Sequence, residues 1–246
     1  MNGYSKIKSF AKINLALNVL GKSLSIHKIE SIISFIGLND EIYVKEINKN
    51  KHVIKFIGKF SKNIGKINTI SKLLEILDKK KLLKDKKYNI KIKKNIPTQA
   101  GLGGGSMNAA NFFKFLIKKQ NIKISQKKII EISNFVGSDV ILGMYSKNLI
   151  LKSNGSINTI SNIESKNVLV IKPYFGCSTK KIYSKVKKFN RSRFKHPNKK
   201  LFSYLELKKM SNDLESIALR IYPKLKLLKV FLENTIDSKL LFIFFK

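Results

Sequence analysis

The residues best suited to holding an anion are Gly101-Leu102-Gly103-Gly104-Gly105-Ser106. Glycines at this density tolerate positive φ and let a ligand reach backbone N–H groups without meeting a Cβ. Upstream, Tyr88, Ile90 and Ile92 alternate with polar residues, the period of a half-buried strand. Pro97 then removes a backbone donor and ends regular pairing. Downstream, Ala109, Phe112, Phe113 and Leu116 recur at helical spacing. The open N–H groups of a first helical turn and the helix dipole both favour negative charge there. Ser106 adds a hydroxyl able to donate or to touch a metal. A glycine cluster can also be a close-packed connector, but this position between a strand and an apolar helix favours phosphate binding. It is not a Walker loop, because Met107 and Asn108 follow Ser106 where that pattern requires a lysine. Nor does KKQNIKISQKK, from Lys118, offer the acidic residue that a dinucleotide fold places about 20 positions on. The catalytic charge has to come from elsewhere in the chain.

Two residues could supply it. Residues 6–20 read as a strand with Ile13, Leu15 and Leu17 on one face and Lys12 and Asn14 on the other. On spacing alone, Lys12 is an edge residue whose amine reaches water. Asp139, one of few acids, follows Gly137-Ser138 and on its own reads as a turn or capping residue. The sharper alternative puts its carboxylate near the glycine loop.

The remaining pattern is that of a mixed α/β protein. Ile26–Ile36 and Glu41–Val44 are expected strands joined by a turn at Asn39-Asp40, and His52–Ile57 a further strand. Residues 68–83 fit an amphipathic helix, with Asn68 or Thr69 as cap and Ile70, Leu73, Leu74 and Leu77 inside. Ser125 caps another helix, with Ile129, Ile130, Ile132 and Val136 as its apolar face and Gly137 as its stop. Asn148–Leu151 and Val168–Lys172 read as strands, Thr179–Lys187 as a helix and Arg191–Lys200 as a basic loop. Ser211–Glu233 carries helical patterns around Asn212-Asp213-Leu214-Glu215 and Tyr222-Pro223. A soft boundary at Ser153–Asn162 divides the chain into 1–153 and 154–246.

Length and composition bound the class. A chain of 246 residues with 43% hydrophobic content can bury a substantial core. The net charge of +35 alone suggests nucleic acid or an anionic membrane surface. Lysine, isoleucine and asparagine are, however, the residues that AT-rich codons supply, and the lysines are spread evenly. Codon bias is the better explanation, so no specific nucleic-acid partner and no membrane is expected. Cys177 is alone and the three histidines are scattered, which excludes an intrachain disulfide and a Cys/His zinc site. No apolar run reaches spanning length, the longest being Leu240–Phe245, and no signal peptide is evident. A soluble, cytoplasmic protein is expected.

In order along the chain, AKINLALNV at 11–19, the loop at 97–110 and GSDV at 137–140 resemble the GHMP small-molecule kinases. HKIESIISFIGLNDEI at 27–42, NTISKLL at 68–74, FGCSTKKIY at 175–183 and NDLE at 212–215 extend the likeness. They bring it nearest to family members acting on a cytidine-diphospho sugar alcohol. The resemblance implies a two-domain α/β fold with ATP and a small-molecule substrate in the inter-domain cleft. It assigns the ATP phosphates to Pro97 and Gly101, Leu102, Gly103, Gly104, Gly105 and Ser106, and places Asn68 near the adenine. Asp139 becomes the base for the substrate hydroxyl, and Lys12 stabilises that carboxylate and the charge of transfer. Asn14 and His27 would bind substrate, with Tyr183 as an aromatic face for the cytosine. Mg2+ is expected with ATP, and no metal ligand is assigned. Ser25-Ile26 stand where the family usually has Gly-Tyr, removing one aromatic wall of the cytosine slot. No glycine follows Gly176, so the family's third glycine motif has no counterpart in 154–246. A homologue impaired in catalysis, or a basic nucleic-acid binder, are the alternative expectations.

Overall fold

The alternating pattern at the start of the chain becomes two long strands, β1 (Ser5–Ser23) and β2 (Ile26–Ile47). They are followed by β3 (Val53–Ile57), α1 (Thr69–Lys79), β4 (Lys87–Lys93), α2 (Gly104–Lys119), α3 (Gln126–Val136) and α4 (Val140–Tyr145). Then come β5 (Leu149–Leu151), β6 (Ile157–Thr159), α5 (Thr179–Tyr183), a 3-10 turn (Lys199–Phe202), α6 (Tyr204–Lys208), α7 (Glu215–Ile221) and α8 (Pro223–Thr235). The computed structural model describes residues 3–23, 26–119 and 122–235. Among these, no helix is long and apolar enough to cross a membrane. Ser25 and residues 236–246, including the apolar run at 240–245 and the end of the expected second domain, lie outside the described residues.

The fold is mixed α/β, and the chain separates into two compact units. The first comprises Met1–Lys12, Ile36–Thr98 and Gly103–Ser146; the second comprises Ile13–Phe35, Gln99–Leu102 and Lys147–Lys246. The strands β1 and β2 each contribute to both.

In the first unit, β4 runs antiparallel to the second half of β2, with Ile42 opposite Ile92 and Val44 opposite Ile90. Strand β3 lies parallel to β4, so the connection between them must cross over, and α1 provides that crossover. Ile70, Leu73, Leu74 and Leu77 of α1 pack with Phe112, Phe113 and Leu116 of α2 against Tyr88, Ile90 and Ile92 of β4. In the second unit, β5 is antiparallel to the first half of β2 and β6 to β5. Two smaller cores form there, one around Ile32, Ile150, Phe194 and Phe202, the other around Leu17, Val19, Ile182 and Ala218.

Several expectations need correction. Asn39-Asp40 is no turn, since β2 runs unbroken from Ile26 to Ile47. The polar pair is accommodated because Asp40 is fully buried and accepts hydrogen bonds from the N–H groups of Asn95 and Ile96, just past β4. Helix α1 stops at Lys79 rather than continuing to Leu83, because Lys81, Lys84 and Asp85 take positive φ. Leu83 is nonetheless buried. Ile130 is exposed, so the inner face of α3 is Ile132 and Val136 with Ile129 at its edge. Val168–Lys172 forms no regular strand, and Val168, Leu169 and Ile171 are exposed.

Candidate active site

The glycine loop sits where the sequence places it, with α2 beginning at Gly104. Two of its residues need glycine's conformational range, Gly101 with φ +74° and Gly103 with φ +65°. Gly103 also needs the space. A Cβ there would lie 2.9 Å from Cγ and 3.1 Å from Cε of Lys12. Lys12 therefore runs along the bare backbone at the start of α2. It is only 6% exposed, so the edge reading of this lysine is corrected: its amine is turned into the protein.

The amine meets a carboxylate. Lys12 Nζ lies 3.4 Å from Asp139 Oδ2. Asp139 precedes α4, and its side chain makes no capping hydrogen bond to that helix. What carries Asp139 to this position is the close approach of α4 to α2. A Cβ on Gly143 would stand 2.6 Å from Ala110 Cβ and 3.0 Å from Met107 Sδ, so a larger residue would push the helices apart. An ammonium inside the protein requires a compensating charge, and the carboxylate of Asp139 supplies it.

Beneath the loop is a second ion pair that the sequence reading missed. Asp40 is fully buried and bonds to Lys94 Nζ. It also accepts from the N–H of Asn95 and of Ile96, both at 2.8 Å, and from Asn108 Nδ2 at 2.9 Å. One carboxylate thus ties β2 to the strand leading into the loop and to the first turn of α2. A Cβ on Gly104 would come within 3.2 Å of Lys94 Nζ, so the loop rests directly on this pair. Thr69 at the start of α1 adds a bond from Oγ1 to Gly105 O at 2.7 Å. The available signal was the apolar residues on both sides of Asn39-Asp40, which turn propensity outweighed.

Asn68 caps α1: its Oδ1 accepts from Ile70 N and Ser71 N, and its Nδ2 donates to Gly65 O and Lys66 O. The side chain is occupied in shaping the α1 terminus. Pro97 is half-buried, and Ser106 is buried in the first turn of α2.

The second unit holds the other residues singled out. Asn14 Nδ2 donates to Ser31 Oγ at 2.8 Å, and that hydroxyl donates to Ala16 O at 2.6 Å, which fixes the amide on β1. His27 on β2 and Tyr183 on α5 meet with ring centroids 4.8 Å apart and planes tilted by 40°. Burial, helped by the charge of Lys22, pushes the His27 pKa below its ordinary value and favours the neutral imidazole. Gly101 and Leu102 also belong to this unit. The structure therefore brings together Lys12, Asp139 and the start of α2 in one unit, and His27 with Tyr183 in the other.

Known proteins carry the same arrangement of sequence. Residues 68–147 match the GHMP kinases N terminal domain. Over 234 residues the chain is 56% identical to the 4-diphosphocytidyl-2-C-methyl-D-erythritol kinase of Pelagibacter ubique (strain HTCC1062), covering 95% of this chain and 83% of that one. It is 31% identical over 253 residues to the enzyme of the same name from Fusobacterium nucleatum subsp. nucleatum, covering 98% and 85%. Among solved structures, a 4-(cytidine 5'-diphospho)-2C-methyl-D-erythritol kinase superposes with a TM-score of 0.68 at 20% identity, covering 94% of this chain and 83% of that one. Homoserine kinase from Cytophaga hutchinsonii superposes with a TM-score of 0.54 at 15% identity, covering 78% and 62%. With relatives this similar across nearly its whole length, the chain belongs to the GHMP kinase family and groups within it with the 4-diphosphocytidyl-2-C-methyl-D-erythritol kinases.

Proposed function

We propose that the protein transfers the γ-phosphoryl group of ATP to the 2-hydroxyl of 4-diphosphocytidyl-2-C-methyl-D-erythritol, a step of non-mevalonate isoprenoid biosynthesis in the cytoplasm. The observation that carries this reading is the Lys12–Asp139 pair, held against the bare backbone of Gly103 at the N-terminus of α2. Phosphoryl transfer asks a protein for alignment and charge stabilisation more than for covalent chemistry. ATP, when bound, supplies the phosphoryl group. The N–H groups of Gly103–Ser106 would receive its phosphate oxygens, and glycine's missing Cβ leaves the approach open. Magnesium would travel with those phosphates. Among the described residues no group of three His, Cys, Asp or Glu side chains could hold a metal by itself. Mg2+ in kinases is commonly bound through phosphate oxygens and water with few protein ligands.

The positions of the side chains support the following roles. Asp139 accepts the proton of the attacking hydroxyl. Lys12 fixes that carboxylate in place and offsets negative charge as it shifts between oxygens. Neutral His27 offers a ring nitrogen to the cytosine edge, and Tyr183 offers a face on which the base stacks. Aromatic stacking of a nucleobase is worth about 1–3 kcal/mol in single-stranded nucleic-acid complexes, a fair scale here. Asn14, steadied by Ser31, donates to the substrate. Asn68 shapes the adenine side through the terminus of α1, which it caps. The net charge of +35 raises the local concentration of both polyphosphate ligands.

The test is phosphotransfer by the purified protein with Mg-ATP and the cytidine-diphospho alcohol, with homoserine as competitor. ADP and a phosphorylated cytidine-diphospho product should form in equal amounts, with homoserine untouched. Phosphorylation of homoserine alone would overturn the assignment of substrate.

A further inference from the structure

Only three of the 50 basic residues are arginine: Arg191, Arg193 and Arg220. A chain that uses lysine almost wherever a positive charge will serve carries two guanidinium groups two positions apart. Arginine differs from lysine by its rigid fork of donors, which matches paired phosphate oxygens. Where lysine is otherwise nearly universal, a close arginine pair marks a place that needs the fork.

The segment that carries the pair is not regular structure, yet it is anchored at almost every inward position. Asn190 N donates to Val19 O at 2.9 Å, and its Nδ2 donates to Asp213 Oδ1 at 2.8 Å. Asp213 is itself fixed to β1 through Val19 N at 2.7 Å. Ser192 Oγ donates to Glu30 Oε2 at 2.8 Å, and Arg193 N donates to Glu30 Oε1 at 2.5 Å. Glu30 is fully buried on β2 and takes a further bond from Asn18 Nδ2. Phe194 closes the row inside the core formed with Ile32 and Ile150.

Burial alternates accordingly. Ser192 and Phe194 point in, whereas Arg191, Arg193 and Lys195 are exposed. A segment of this kind advances about 7 Å for every two residues, so neighbouring cations can converge on one group of phosphate size. No carboxylate among the described residues forms a salt bridge with any of the three. Glu30 and Asp213 hold the backbone of the segment while Arg191, Arg193 and Lys195 face solvent. The side of β2 is also defined. Glu30 and His27 are three residues apart on the strand and so point to opposite faces. Ile29 packs with Tyr183, whereas Ile32 packs with Phe194.

We propose that Arg191 and Arg193, with Lys195, form a recognition site for a diphosphate group, on the face of β2 opposite the His27–Tyr183 pair. The ligand chemistry is a diphosphate, either free or as part of a nucleotide-diphosphate molecule. The site does not depend on the proposed reaction, because its readout is binding of inorganic diphosphate. Calorimetric titration of the full chain at physiological ionic strength, where diffuse lysine attraction is screened, is the experiment. Wild type should bind diphosphate saturably. Arg191→Lys/Arg193→Lys, which keeps the charge and removes the forks, should weaken binding about tenfold with the melting temperature unchanged. Arg220→Lys should leave binding intact. The KM for the cytidine-diphospho alcohol should be the same in all three proteins, assigning the site to a free diphosphate ligand. A KM that rises in the double variant at constant kcat would overturn the separate-site assignment and give the pair to the substrate's own diphosphate. Equal diphosphate binding by wild type and double variant, or none by wild type, would overturn the site altogether. So would loss of single-stranded oligonucleotide binding with diphosphate binding intact.

Discussion

Replacing Gly103 by alanine separates two roles of the loop, because the same residue sets a backbone turn and makes room for Lys12. At φ +65° an alanine costs about 1–2 kcal/mol of backbone strain. In a protein of this size that lowers the melting temperature by roughly 2–8 °C. The new Cβ would also sit 2.9 Å from Lys12 Cγ, closer than packed carbons approach, so the lysine must shift. A shift of about 1 Å at the amine, from the present 3.4 Å, removes about 1 kcal/mol of gross attraction to Asp139 at an effective dielectric near 20. Misplacement on that scale beside a reacting group lowers turnover about a hundredfold. Gly155→Ala is the control. Gly155 also has positive φ, +81°, but its Cβ would meet nothing within 4 Å. It should show the same loss of melting temperature and full activity. Steady-state kinetics and thermal denaturation of both variants decide the matter. If Gly103→Ala turns over as fast as Gly155→Ala, the reasoning that the loop positions Lys12 is refuted.

Three further outcomes follow from the same structure. Asp40→Ala leaves Lys94 without its carboxylate in the interior and the N–H groups of Asn95 and Ile96 unmet, so urea denaturation should show a loss of about 3–5 kcal/mol; a loss below about 1 kcal/mol would mean the pair is no more than a surface-type contact. His27, lowered by burial and by Lys22, should titrate by NMR with a midpoint below 6.5. Its neutral form favours folding, so its contribution is complete above that pH and is lost as pH falls through 6.5 to the folded midpoint; a midpoint at or above 6.5 contradicts this. Burial pushes the Lys114 pKa down to about 8, so the folded state sheds that proton before the unfolded chain does. Stability should therefore gain a contribution as pH rises from 8 towards 10.5, and Lys114→Met should abolish that gain while raising the melting temperature at neutral pH.

What could be read from the chain alone was whatever local pattern enforces. The glycine loop, the caps Asn68 and Ser125, and the apolar face of α1 are set by spacing and short-range hydrogen bonding, and they appear where expected. Asp139 and Lys12 were assigned by resemblance to a family, since nothing in their own neighbourhoods distinguishes a paired lysine from an edge residue. Their meeting depends on the close packing of α4 on α2 at Gly143, a contact between residues distant from Lys12 in sequence. Asp40 was misread for a related reason. An Asn-Asp pair has strong turn propensity, and only its long-range partners Lys94, Ile96 and Asn108 keep it in a strand. The apolar run at Val168–Lys172 shows the reverse, a strand-like stretch that finds no pairing among the described residues.

The central claim is that Asp139, held by Lys12 at the start of α2, takes the proton from the acceptor hydroxyl. Asp139→Asn keeps the shape of that side chain and removes its basicity. The account predicts that kcat for the cytidine-diphospho alcohol falls roughly 10²–10⁴-fold, while ATP binding measured by titration stays close to wild type. Turnover near the wild-type rate with ATP binding intact would contradict it.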